Sequence, residues 1–83
     1  MKELMFNIED NGERILYYLY GDEDKGYGFE IAQIDETKLH SKECDLVFKS
    51  RNKAESFLKA MYEGRVYPIH LCDIIEDEKE NLV

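Results

Sequence analysis

The residues best equipped for chemistry are two histidines and two cysteines, His40, Cys44, His70 and Cys72. Together they are the donor set of a structural zinc site, which gathers four nitrogen or sulfur ligands in a tetrahedron. Their spacing works against it. His40 and Cys44 stand four apart, His70 and Cys72 two apart, and no Cys-x-x-Cys knuckle is present. On a helix, residues two apart point away from each other. A Cys44–His70 nucleophile–base pair is the corresponding catalytic reading, and His70 would meet Asp73 at i, i+3 on a helix. The blander and better supported reading of His70 is a hydrogen-bonded histidine near a helix start. The carboxylates sit mostly in turns, solvated and outside any cleft that would tune them for acid–base work. No Gly-rich phosphate loop, Gly-x-Ser-x-Gly or His-Glu-x-x-His occurs. Gly26-Tyr27-Gly28 is a turn entering a strand. The expectation is a non-enzymatic protein with no metal and no cofactor.

The elements that must position these residues follow from hydrophobic period. Leu4, Phe6 and Ile8 alternate with polar residues, the period of a half-buried strand. Asp10-Asn11-Gly12 follows, and Asn-Gly is a hairpin signal because both positions tolerate positive φ. Arg14–Tyr20 is a dense aromatic and branched run, which favours a strand with both faces at least partly covered. Residues 21–26 form a turn carrying Asp22, Glu23 and Asp24. Tyr27, Phe29 and Ile31 then resume the alternation, with Ala32 and Ile34 on the other face. Residues 35–42 are expected to be a polar connection, and Cys44, Leu46 and Phe48 mark a fourth strand.

A helix begins near 50–52, where Asn52 and Glu55 have the form of a capping box. Ala54, Phe57, Leu58 and Met61 fall at i, i+3, i+4 and i+7, one apolar stripe, and Gly64 is placed to end it as a C′ glycine. Pro68 can open a second, short helix that puts Leu71, Ile74 and Ile75 on one face. A strand there would mix Ile69 and Leu71 with Asp73. Residues 76–83 are expected to be a frayed acidic tail. The predicted fold is α+β in a single small domain, 1–83. Its antiparallel meander has three or four strands, with one main amphipathic helix and a short C-terminal helix on one face.

The chain has 83 residues, of which 43% are hydrophobic and 36% charged, with 19 acids against 11 bases and a net charge of −8. A chain this small buries only roughly 60–65% of its extended surface, so a deep enclosed site is hard to build. The acidic balance argues against direct contact with nucleic acid or an anionic membrane, since both need a basic surface. No run approaches the roughly 20 apolar residues of a membrane span, and the N-terminus lacks the apolar stretch of a secretory signal. A cytoplasmic location is expected, with Cys44 and Cys72 as free thiols.

The charge is unevenly spread. Residues 1–36 carry ten acids against three bases, 37–72 seven bases against four acids, and 73–83 five acids against one base. Acidic turns have two readings: plain solubility, or a negative surface that steers and selects a basic partner. The six tyrosines divide the same way. Alternation sends Tyr18 and Tyr20 to the face opposite Tyr17, where they serve as cross-strand packing or as interface anchors.

The segment Tyr67-Pro68-Ile69-His70-Leu71-Cys72-Asp73-Ile74-Ile75 resembles a pattern in a family of small, uncharacterised clostridial proteins known as domain of unknown function 6514. The Tyr27-Gly28-Phe29 strand and the amphipathic helix over 52–62 are similar to that family as well. The likeness spans roughly residues 27–77, and only the Pro-Ile-His-Leu-x-Asp-Ile segment is specific. Tyr67 departs from the small polar residue the family has before the proline. The resemblance implies a compact α+β domain from a Firmicute host, and nothing about catalysis.

These features favour a protein that acts by binding a protein partner with a basic surface. A phage-type inhibitor of a nucleic-acid-binding host protein is one form, anti-CRISPR-like, its carboxylates standing where phosphates would. Asp22, Glu23, Asp24, Glu76, Asp77 and Glu78 would then carry the interaction, with Tyr18 and Tyr20 as anchors. The alternative is a host regulatory or structural module, homodimeric through its open sheet face.

Overall fold

In a computed structural model of the chain, Asn11 and Gly12 take φ of 51° and 80°. That mirror-image turn matches the right-handed twist of the strands it joins, β1 (Lys2–Asp10) and β2 (Glu13–Asp22). Asp22 Oδ1 accepts the Lys25 N–H at 2.7 Å to shape the next turn, and β3 (Gly26–Ile34) follows. Asp35 ties the last connection, its Oδ1 accepting the Lys38 N–H at 2.9 Å, before β4 (Leu39–Phe48). The strands form one antiparallel sheet in the order β1-β2-β3-β4. Two helices complete the α+β meander, α1 (Arg51–Glu63) and α2 (Pro68–Lys79). The structure describes residues 2–36 and 38–79, with the side chains of 44–47, 72, 75 and 77–79 outside that description.

Both helices pack on one face. Ile15, Tyr17 and Leu19 of β2, Tyr27, Phe29 and Ile31 of β3, and Phe48 meet Ala54, Leu58 and Met61 of α1 and Leu71 of α2. Aromatic rings lock this layer. Phe29, Phe48 and Phe57 form a triangle with centroids 5.4–5.8 Å apart, and Phe6 stacks on Tyr62 at 4.6 Å. Tyr17 is fully buried, and its hydroxyl donates to the Val66 carbonyl at 3.0 Å. It thereby ties the sheet to the chain between the helices.

Several local expectations differ from the structure. A bulge between Leu4 and Phe6 breaks the single apolar face read for β1. Leu4 lies opposite Tyr18 and is 47% exposed, whereas Phe6 and Ile8 face the core. Strand β4 starts at Leu39 rather than near Cys44, pairing with β3 through 39–42. Its polar His40-Ser41-Lys42 stretch lacks alternation, and only the neighbouring strand's backbone makes it a strand.

Helix α1 is capped by Ser50, whose hydroxyl accepts the Lys53 N–H at 3.4 Å, and not by an Asn52–Glu55 box. Glu55 instead receives Arg51 at 2.8 Å, four residues back. At the other end Gly64 keeps φ −85°, and Arg65 takes the left-handed φ of 52°. The Arg65 and Val66 N–H groups reach back to the Tyr62 and Met61 carbonyls, at 3.1 and 3.0 Å. That is the hydrogen-bond pattern of a Schellman motif, with arginine where glycine was expected. Helix α2 continues to Lys79, so 76–79 are helical; 80–83 lie outside the described residues.

Candidate functional site

Among the described residues, the sheet face away from the helices has no second layer. Cross-strand register assigns to it Lys2, Leu4, Asn7 and Glu9 of β1, Arg14, Leu16, Tyr18, Tyr20 and Asp22 of β2, Gly28, Glu30, Ala32 and Ile34 of β3, and Leu39, Ser41 and Glu43 of β4. Tyr18 and Tyr20 are thus on the face opposite Tyr17, as alternation requires. Leu16 and Ala32 pair at the centre and are buried among these neighbours without a helix above them. Leu4 and Leu39 lie on the two outer strands, 47% and 66% exposed. The centre of the face is apolar, Leu16 and Ala32 flanked by Tyr18, Tyr20 and Ile34, and polar residues such as Asn7, Glu9, Arg14, Ser41 and Glu43 surround it.

One carboxylate is embedded in it. Glu30 is 7% exposed and sits opposite Glu43, a like-charge pairing that costs energy unless compensated. Lys2 compensates it, with Nζ 2.6 Å from the Glu30 carboxylate and 5.2 Å from the Tyr18 ring centroid. That hydrogen bond holds the Lys2 ammonium above its ordinary pKa. Tyr20 lies across Gly28: a Cβ at Gly28 would stand 2.9 Å from the Tyr20 ring, so a larger residue there would displace that ring.

The meander also sorts the acids by end. Its first and third connections share one end and bring together Glu9, Asp10, Glu13, Asp35 and Glu36. Most of these are engaged locally: Glu9 with Arg14 at 3.1 Å, Asp10 with Arg65 at 3.2 Å, and Glu13 with the Gln33 amide. Asp35 holds the Lys38 N–H. The opposite end carries Asp22, Glu23 and Asp24, all exposed. Asp22 is occupied in its turn, while Glu23 and Asp24 make no contact to a cation among the described residues. By strand alternation Asp22 shares the open face with Tyr18 and Tyr20.

The candidate residues read from sequence therefore separate. Tyr18, Tyr20 and Asp22 share the open face, and Glu23 and Asp24 lie exposed in the turn that follows. Glu76 is exposed on α2, in the helix layer on the other side of the sheet, and the side chains of Asp77 and Glu78 lie outside the described ones. His40 and His70 are exposed on β4 and α2. The zinc tetrad and the Cys44–His70 pair fall on cysteine side chains outside the described ones. His70 and Asp73 share no hydrogen bond or ion pair among the described residues. Sequence reasoning missed Leu4, Leu39 and the Lys2–Glu30 pair, because their placement depends on a bulge, a late strand start and a cross-strand register.

Among the described residues no helix is long and apolar enough to cross a membrane. No curated protein and no solved structure matches the chain. A family model does match, over residues 5–80, which is nearly the whole of the sheet and both helices. The chain belongs to the family of unknown function DUF6514.

Proposed function

We propose that this protein acts by binding another protein through the open sheet face, with the Asp22–Asp24 turn steering it to a basic surface. One observation supports the reading: a sheet face with an apolar, tyrosine-bearing centre and no covering layer among the described residues ends in the exposed acids Glu23 and Asp24, which meet no cation among those residues. Tyrosine and leucine supply the buried centre of an interface, and the acids supply orientation and on-rate. A partner that itself holds nucleic acid offers the complementary basic groove, and occupying it would inhibit that partner. Catalysis has no part in this reading.

Affinity capture from nuclease-treated lysate tests it, comparing the native chain with a Tyr18→Ser variant and an Asp22→Asn, Glu23→Gln, Asp24→Asn variant. The expected result is a nucleic-acid-handling protein held by the native chain at low salt, shed at high salt, and lost by both variants. Identical retention and salt dependence across all three chains would sink the idea. A second reading, self-association through the same face, is favoured by the two exposed leucines on its outer strands. It predicts a dimer in light scattering that Leu39→Lys converts to monomer.

A further inference from the structure

Between the first turn of α2 and the neighbouring ends of β3 and β4 lies a cleft of about 460 Å³, lined by Gln33, His40, Ser41, Lys42, Pro68 and Ile69. Two inversions of the usual polar–apolar pattern face each other across it. His40 and Lys42 pair with Gln33 and Ile31, which puts them on the helix side of the sheet. Elsewhere that side presents Ile15, Tyr17, Leu19, Tyr27, Phe29, Ile31 and Phe48. On the facing lip, Ile69 is 80% exposed, more than Leu4 or Leu39. Either inversion alone is ordinary. Together they make a concave site with a polar floor and an apolar wall, the composition of a small-ligand pocket.

Charge narrows the ligand. Lys42 and His40 make no ion pair among the described residues, so the Lys42 ammonium and the His40 ring that line the cleft stay open to a ligand. The positive end of the α2 dipole lies beside them. Beyond Gln33, Glu13, Asp35 and Glu36 line the adjoining hollow, a border that repels a polyanion.

We propose that this cleft binds a small amphipathic monoanion, an organic carboxylate. Its head meets Lys42 and His40 and its apolar body lies against Pro68 and Ile69. The site is independent of the open sheet face, which lies on the other side of the sheet.

Titration of the ¹⁵N-labelled full chain with monomeric sodium octanoate, followed by amide shifts, tests this. Acetate and octanol serve as the head and the body alone. Saturable shifts are expected at residues 33, 40–42 and 69–70, with acetate and octanol each at least tenfold weaker. Lys42→Gln and Ile69→Ser should each weaken octanoate about tenfold. Both replaced residues are exposed, so the rest of each spectrum should overlay on the native one, which establishes folding. Absence of saturable shifts at those residues overturns the proposal. So does octanol binding as tightly as octanoate, or unchanged affinity in both variants.

Discussion

Tyr17 shows how much one side chain joins. Its ring fills the core and meets Tyr62 edge-on at 5.9 Å, while its hydroxyl satisfies a carbonyl 49 residues away in sequence. Burial pushes its hydroxyl pKa up to about 12 from the usual 10. The unfolded chain releases that proton near pH 10 and the folded chain holds it to about 12. Stability is therefore intact below pH 10 and falls as pH rises between those values, by at most about 1.4 kcal/mol per unit. Tyr17→Phe should remove this part of the alkaline loss and cost about 1 kcal/mol at neutral pH, because the Val66 carbonyl loses its donor. Urea unfolding of both chains from pH 8 to 11.5 measures both effects. Alternation told that Tyr17 faces away from Tyr18 and Tyr20; its burial and the acceptor of its hydroxyl were not legible, since nothing in sequence links residues 17 and 66.

At the scale of elements, α1 carries a glycine one position early for its own termination. Gly64 has φ −85° and ψ 0°, which any residue adopts, and a Cβ there would meet the Ala60 and Met61 carbonyls at 3.4 and 3.8 Å, ordinary contact distances. Gly64→Ala should then stabilise the protein by about 0.4–1 kcal/mol, chiefly by restricting the unfolded chain. A drop in melting temperature would contradict that account. Ser50→Ala should destabilise by about 0.5–1 kcal/mol, toward the low end because its capping contact is long, at 3.4 Å. Thermal unfolding of the two single variants places them on opposite sides of the native chain. The helix itself was legible from the Ala54-Phe57-Leu58-Met61 stripe. Its ends were not, because several residues near each end satisfy the same capping rules and the fold chooses among them.

Across the whole molecule, the two faces of the sheet should answer mutation differently. Leu58 is fully buried between α1 and the sheet, and truncation to alanine should cost about 2–5 kcal/mol through lost burial and an unfilled cavity. Leu39→Ser on the open face should stay within about 0.5 kcal/mol, because little of that side chain leaves water on folding. Denaturant midpoints for the two variants test the contrast. A cost for Leu39→Ser comparable to that for Leu58→Ala would mean that the open face is covered in solution.

The amino-acid sequence by itself determined what depends on near neighbours. The two-residue alternation of the central strands, the Asn11-Gly12 turn, the stripe of α1 and the proline start of α2 are set by steric rules acting over a few residues. Only the tertiary structure decided what depends on residues far apart in the chain. It moved Leu4 to the open face through the β1 bulge, and it enlisted His40-Ser41-Lys42 as strand because β3 offered an unpaired edge. It paired Glu9 and Asp10 with arginines at one end of the meander and left Asp22, Glu23 and Asp24 exposed at the other. It also set Ile69 across a cleft from Lys42. Each of these follows from pairing and packing between distant segments, which local period does not encode.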